Sequence, residues 1–266
     1  MINNLNEAIK SSNDLAYYLK LKAESHNYYK LYSTFDRIML IKNNKEIYLS
    51  DGSNWNDILD KNNFNCNNYE KKNFGMCFSY SRSESVAMWM LYGGINKENA
   101  MIDFTRSAIK NILNIDKIDV GYFDNYNFIS QKTLNKKDFN IFATDVIYYE
   151  NGNHYKINRN RENVENVKKD IVDNIAFCKK TSPWNYENEC RLIVQVDKSK
   201  LNDEDTHVKI NISDVDLGTT LNRIYRGPNC TLPIDESIND SKLANTIDWD
   251  LRKSCKYCMP NMEENK

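Results

Sequence analysis

Glycine is scarce in this chain, at 8 of 266 residues. None of the eight falls in a Gly-x-Gly-x-x-Gly, a phosphate-binding Gly-x-x-x-x-Gly-Lys or a Gly-x-Ser-x-Gly pattern. Those patterns need glycine because the backbone must approach a phosphate closely or turn sharply beneath a nucleophile. Their absence argues against kinases, P-loop NTPases, Rossmann dehydrogenases and ordinary serine hydrolases. Proline is scarcer still, with 4 residues, and no low-complexity stretch divides the chain. A single domain is therefore expected over 1–266, with a helical N-terminal extension at 1–30, a core at 31–230 and a C-terminal tail at 231–266.

No apolar run approaches the roughly eighteen residues of a membrane span. The opening Met1-Ile-Asn-Asn-Leu-Asn-Glu7 has neither a basic start nor an apolar core of the secretory kind. A cytoplasmic protein with no membrane partner is expected. The three histidines, His26, His154 and His207, lie in polar surroundings without a His-x-x-x-His or His-x-Glu partner, so each is expected at the surface. Seven cysteines, an odd number, stand at 66, 77, 178, 190, 230, 255 and 258, which fits a reducing compartment. Cys77, Cys178 and Cys190 read as small buried hydrophobes. Cys255-Lys-Tyr-Cys258 is half of a zinc pattern, and Cys230 and His207 would complete it only by tertiary coincidence. No metal is expected.

Charge of one sign is also missing. Lys and Arg total 36 against 37 Asp and Glu, a net charge of −1. Proteins that bind nucleic acid non-specifically carry a basic excess, so a nucleic-acid partner is not favoured, although a local basic groove is compatible with the count. The mean hydropathy of −0.71 reflects abundant Asn and Lys. Against it stand 41% hydrophobic residues, with 17 Tyr, 10 Phe and 4 Trp, enough to build a core.

Apolar spacing predicts helices over 6–24, from Thr34 to about Lys42, and from Ser83-Glu84 through Leu91. A further helix is predicted over Glu162 to Lys180, with Val164, Val167, Ile171, Ile175 and Cys178 as its stripe and Lys179-Lys180 complementing its C-terminal dipole. Asn56-Asp57 can cap a helix that begins near Ile58. Strands are predicted at 46–50, 74–79, 100–104, 141–149, 190–196, 207–212 and 221–225. The irregular alternation, with strands concentrated late, gives an α+β fold: a mixed, mostly antiparallel sheet core with flanking helices.

Two features carry chemistry. Glu187-Asn-Glu189-Cys-Arg191 enters a strand. Alternation puts Glu187, Glu189 and Arg191 on one face if the extended chain begins at Glu187. A carboxylate there, beside Trp184 or Tyr186, can stabilise an oxocarbenium-like transition state. The same pattern also makes an ordinary ionic row on a surface strand. Trp89 and Tyr92, three apart on a helix, share one face, where they can stack on a flat ring or serve as core.

Four segments in this order resemble the bacterial family known as domain of unknown function 2971, which looks related to the AbiGi abortive-infection proteins. They are Ile47-Tyr-Leu-Ser-Asp-Gly-Ser-Asn-Trp-Asn-Asp57; Cys77-Phe-Ser79 with Met88-Trp-Met-Leu-Tyr-Gly93; Met101-Ile-Asp-Phe104; and Lys180-Thr-Ser-Pro-Trp-Asn-Tyr-Glu-Asn-Glu-Cys-Arg191. A weaker echo follows at Ile224-Tyr-Arg-Gly-Pro228. The resemblance implies an antiviral, abortive-infection setting, with a phage or host protein as target or trigger. The Glu-x-Glu strand also resembles the acidic element of ADP-ribosyltransferases, which break the nicotinamide–ribose bond of NAD. Arg37, Ser79-x-Ser81 and Glu187-x-Glu189 follow one another in the order such enzymes use. That likeness implies an ADP-ribosyltransferase-like fold and an enzyme with NAD as substrate. Glu189 would stabilise the ribosyl cation, Glu187 would position the acceptor, and Arg37, Ser79, Ser81, Trp89, Tyr92 and Arg191 would form the NAD pocket. The alternative is a non-catalytic defence sensor or a module that binds a toxin partner.

Overall fold

A computed structural model describes residues 9–55, 57–65, 70–92, 98–149, 154–159, 162–228, 230 and 238–243, without the side chains of 154–169 and 176. Asn56, Cys66, Gly93 and the Cys255–Cys258 pair, named above, lie outside the described residues. The elements in chain order are α1 (Ser12–Ala23), β1 (Tyr29–Thr34), α2 (Phe35–Asn44), β2 (Glu46–Ser50), α3 (Ile58–Phe64), β3 (Lys71–Ser79), α4 (Val86–Tyr92) and β4 (Asn99–Phe104). There follow α5 (Arg106–Ile112), β5 (Lys117–Asp124), β6 (Asn127–Asn135), β7 (Phe139–Asp145), β8 (Ile147–Tyr149), β9 (His154–Arg159), β10 (Glu162–Lys168) and α6 (Lys169–Asp173). The last are β11 (Lys179–Thr181), a 3-10 turn (Ser182–Glu187), β12 (Glu189–Asp197), β13 (His207–Asn211), β14 (Ile224–Arg226) and β15 (Asn239–Asp240).

Eleven of these strands form one sheet, ordered β15-β14-β4-β1-β3-β2-β13-β5-β6, with β12 pairing both β3 and β7. All its pairings are antiparallel except β14 with β15. The α+β architecture with a mostly antiparallel mixed sheet is thus present, and segments 74–79, 100–104 and 189–196 belong to the same sheet. Its branch point is β3. One edge of β3 runs the full length of β12, from Glu189↔Ser79 to Asp197↔Lys71. The other edge is shared, β1 meeting it at Ser79 and β2 at Gly75.

Because side chains alternate along a strand, β12 serves two layers. Cys190, Leu192, Val194 and Val196 enter the main core with Phe74 and Phe78 of β3, Ile38 and Ile41 of α2 and Ala108, Ile109 and Ile112 of α5. The odd positions face the opposite way. There Ile193 packs on Phe64 and Phe142, with Trp55 and Phe177 beside them. The second layer includes α3, which is started by Asp57: its carboxylate accepts from the N–H groups of Leu59 and Asp60, the capping role the sequence suggested. Gly75 lets α3 approach. A Cβ there would stand 2.7 Å from Phe64 Cζ and 3.4 Å from Trp55. Gly75→Ala is expected to destabilise the fold by about 1–3 kcal/mol, the cost of overpacking a filled site, read as a lower urea midpoint with an unchanged slope.

The predicted helix over 162–180 is not there. Residues 162–168 form β10, hairpinned on β9 from Glu162↔Arg159 to Lys168↔His154, and the helix is confined to Lys169–Asp173. Val164, Val167 and the asparagines between and before them are weak helix formers, and a strand partner in sequence reach takes them. The later part of the stripe packs as expected: Ile171, Ile175 and Cys178 meet Leu15 and Leu19 of α1 and Ile147. The hairpin β5–β6, which the sequence reading missed, turns through Asn125 and Tyr126, both at positive φ. Among the described residues no helix is long and apolar enough to cross a membrane.

Candidate functional site

The odd face of β12 carries Glu189 and Arg191 into a buried charge cluster. Arg191 is wholly enclosed. Its Nε donates to Glu189 Oε1 at 2.6 Å, one terminal nitrogen to the Phe177 carbonyl at 2.7 Å and the other to Asp60 Oδ2 at 2.6 Å. The guanidinium lies 4.9 Å from the Trp55 ring and 5.7 Å from that of Phe64. A planar fork with several donors suits three such acceptors, and aromatic faces complement its charge.

Lys180, from β11, is the second cation. Its Nζ donates to Glu187 Oε2 at 2.6 Å and to Glu189 Oε2 at 3.3 Å, lies 3.7 Å from Asp60 Oδ2, and sits 4.7 Å from the centre of the Trp184 ring. The Tyr92 hydroxyl donates to Glu187 Oε1. Behind the cluster the Glu189 N–H donates to the Tyr148 hydroxyl at 2.9 Å. Cys77 stands opposite Arg191 in the strand pairing, and burial, then Glu189, pushes its thiol up.

Three carboxylates thus share two cations, and they do not share them equally. Burial works against the charge of Glu189, but Arg191 and Lys180 outweigh it and hold its carboxyl well below the usual range. Glu187 is the reverse. Burial first, and Glu189 beside it, push it up to about 7 against the partial relief that Lys180 and Tyr92 supply. Asp60 is raised by burial despite Arg191, and its Oδ1 is buried with no hydrogen-bond partner among the described residues. Burial followed by the charge of Glu187 keeps the Tyr92 hydroxyl protonated. The arrangement is an anchored anion, Glu189, beside a carboxyl, Glu187, that exchanges its proton near neutrality.

The shift has a thermodynamic consequence. A folded Glu187 titrating near 7 holds its proton more tightly than an unfolded one at 4.5. Its contribution to stability is therefore present below pH 4.5 and is lost as pH rises to about 7. The denaturation midpoint is expected to fall between pH 5 and pH 8, by an amount bounded at about 3 kcal/mol, and Glu187→Gln is expected to flatten that profile. Glu189 acts oppositely: its contribution is present above 4.5 and is lost only as pH falls through its depressed folded value.

The structure gathers Glu187, Glu189, Arg191, Tyr92 and Ser79, but not as a single strand face. Extended chain begins at Glu189, not Glu187. Glu187 ends the 3-10 turn, and Asn188, at φ 44°, reverses the chain between them. The two carboxylates meet through Lys180 instead. Ser79 is buried directly opposite Glu189 in the pairing, and its Oγ accepts from the Ser81 N–H at 3.4 Å. Ser81 lies beyond the strand end, half-buried, its carbonyl accepting from Lys30 Nζ at 2.8 Å. Arg37 does not join the cluster. With Ile38 and Ile41 of α2 turned to the core, Arg37 is exposed, and its charge is felt at His207. Trp89 is core, 1% exposed, edge-on to Tyr32 at 4.9 Å, with its Nε1–H donated to Glu84 at 3.0 Å.

Comparison with known proteins finds no matching family model, no matching curated protein and no matching solved structure. The chain's own geometry therefore carries the functional argument. Three segments far apart in sequence converge on the cluster: Trp55 from the first, Cys77, Ser79 and Tyr92 from the second, and Lys180, Trp184, Glu187, Glu189 and Arg191 from the last.

Sequence reasoning missed Lys180, Asp60 and Tyr148. The helix that apolar spacing predicts over 162–180 makes Lys180 a helix-terminal charge rather than a site residue. Nothing local marks Asp60 or Tyr148. The surface expectation for two histidines also needs correction. His26 is half-buried, its Nε2 2.8 Å from Asp145 Oδ1 and its ring stacked on Tyr80 at 4.0 Å. His207 is half-buried against Phe123, with its Nδ1 2.9 Å from the Thr206 hydroxyl. The backbone of His154 lies in β9. Among the described residues no group of three or more His, Cys, Asp or Glu side chains is placed to hold a metal ion.

Proposed function

We propose that this chain is a phage-defence effector of the abortive-infection type that cleaves NAD at the nicotinamide–ribose bond, as an ADP-ribosyltransferase or a glycohydrolase, with Glu187 as the reacting carboxylate. The observation that carries this reading is the Glu187 environment. Glu187 is itself buried; one oxygen is held by Lys180, whose Nζ packs on the half-exposed Trp184 ring, the other meets the Tyr92 hydroxyl, and Tyr186, the residue before it, is half-exposed. A carboxyl poised near pH 7 is matched to general acid–base work. Glu189, with Arg191 on one oxygen and Lys180 on the other, supplies the fixed negative charge that shapes Glu187 rather than the group that reacts.

The chemistry balances simply. The C–N bond to ribose C1′ breaks and its electron pair leaves with nicotinamide, which becomes neutral. An oxygen of water or of an acceptor forms the new bond to C1′, and its proton passes to ionised Glu187. The resemblance of segment order to abortive-infection proteins supports the defence setting, and a cytoplasmic site of action follows from it. Incubating the purified chain with NAD and measuring free nicotinamide tests the reading. Release that Glu187→Gln lowers by at least about a hundredfold is expected; no release by the unaltered chain ends it.

One observation favours the second reading, a non-catalytic sensor or toxin-partner module. The two helices that supply Asp60 and Tyr92 also expose Ile58 at 71%, Leu59 at 54%, Met90 at 45% and Leu91 at 46%. Loss of protection on changing these residues, with no nicotinamide released by the unaltered protein, would select it.

A further inference from the structure

Tyr92 reaches Glu187 from the last residue of α4, a helix of only 7 residues. A helix that short has little stability of its own and takes its position from what it packs against. Two anchors fix it. Trp89, one turn before Tyr92, is buried with Tyr32, Met88 and Met101 in a cluster that Tyr92, Tyr186 and Leu243 join. Glu84, just before the helix, accepts from Trp89 Nε1 at 3.0 Å and from the Ser241 hydroxyl with one oxygen, and from the Lys242 N–H at 3.0 Å with the other. Two of these three donors come from segment 238–243, which is far away in sequence. That segment is itself docked on the sheet. Its β15 pairs with β14, Asp240 binds Arg226 at 2.6 Å, and the Ser241 N–H donates to the Arg226 carbonyl at 2.9 Å.

We propose that Glu84 is a positioning residue: it clasps segment 238–243 to α4 and so holds the Tyr92 hydroxyl on Glu187. Since Trp89 and Tyr92 lie three apart on one helix face, any shift of the indole away from Glu84 carries the phenol with it. Docking of the C-terminal segment and the protonation of Glu187 are then linked through one carboxylate. Glu187 is also faced by Lys180 from β11 and Glu189 from β12, and neither touches Glu84, so the clasp acts on the Tyr92 contact alone. Its functional consequence rests on the role proposed for Glu187 above, but its test does not.

The test follows the Glu187 carboxyl by carbon-13 NMR in the full chain, assigned by its loss in Glu187→Gln. Tyr92→Phe removes a hydrogen bond to the ionised form and is expected to move the Glu187 midpoint upward by about half a pH unit. Glu84→Ala and the milder Ser241→Ala are expected to move it the same way. Tyr92→Phe combined with Glu84→Ala is expected to move it no further than Tyr92→Phe alone. Should Glu84→Ala fail to fold, Ser241→Ala carries the comparison. A midpoint unmoved by Tyr92→Phe, an unmoved midpoint in the clasp variants, or shifts that add in the double variant would each overturn the clasp. Nicotinamide release is scored separately. A clasp that holds in a chain that leaves NAD intact removes the NAD reading and keeps the linkage, and the converse result does the opposite.

Discussion

Arg191→Met is expected to destabilise the fold by about 3–5 kcal/mol, the largest loss anticipated for any single change in the cluster. The side chains are of similar length, so the cavity term is small and the effect is electrostatic. With Arg191, two cations serve Asp60, Glu187 and Glu189; without it, Lys180 serves all three. Removing one partner leaves charge buried without compensation, which costs several kcal/mol even where the intact pair contributes little net stability. The Phe177 carbonyl loses its donor as well. Urea denaturation at pH 8 and pH 5 tests the cause. In the variant, the carboxylates lose the charge that favours their ionised forms, so they bind protons more tightly when folded, and the deficit should shrink as pH falls. A deficit that is the same at both pH values would point to packing against Trp55 and Phe64 instead. Arg191→Lys should fall between the two, since an ammonium restores charge but not the three-way fork.

The sheet was legible in the sequence where a strand has a core to itself. Cys190 to Val196 alternates into a main core on one side, and 74–79 and 100–104 are nearly continuous apolar runs, so their pairing follows from composition and length. The hairpin at 117–135 was not, because most of β6 is exposed and polar and so carries little apolar alternation. Residues 162–168 misled for the opposite reason. Their valines fall at helical spacing, but a strand partner at 154–159 decided the outcome, and no periodicity within the segment shows a partner outside it.

The candidate site was legible only along one line of chain. Glu187, Glu189 and Arg191 stand two apart and announce themselves; their partners do not. Asp60 arrives on a helix more than a hundred residues away, and Lys180 sat inside the same motif under a different reading. Which glutamate is anchored and which is free to titrate is set by burial and by how the fold places the cations: Arg191 and Lys180 hold Glu189 ionised, while burial and the charge of Glu189 raise Glu187. Asn188 hides the distinction further, because its left-handed backbone makes a turn where the sequence suggested a continuous strand.

Those partners make the two glutamates separable by experiment. Glu187→Gln is expected to lower NAD cleavage by about two to four orders of magnitude, the usual worth of a positioned general acid or base, while leaving the fold intact at neutral pH. The amide mimics protonated Glu187: its oxygen can still accept from Lys180 and its nitrogen can donate to the Tyr92 oxygen. The rate in the unaltered protein should rise with pH through about 7 as Glu187 ionises, while stability falls over the same range. Glu189→Gln should behave differently. It removes the anion that both Arg191 and Lys180 are arranged around, so its primary effect is on stability, and its activity loss should track the fraction unfolded. Measuring nicotinamide release and the denaturation midpoint on both variants decides the assignment. A folded Glu189→Gln protein that has lost all activity, beside a Glu187→Gln protein that keeps it, would return the ribosyl-cation role to Glu189 and leave Glu187 as a support for Lys180.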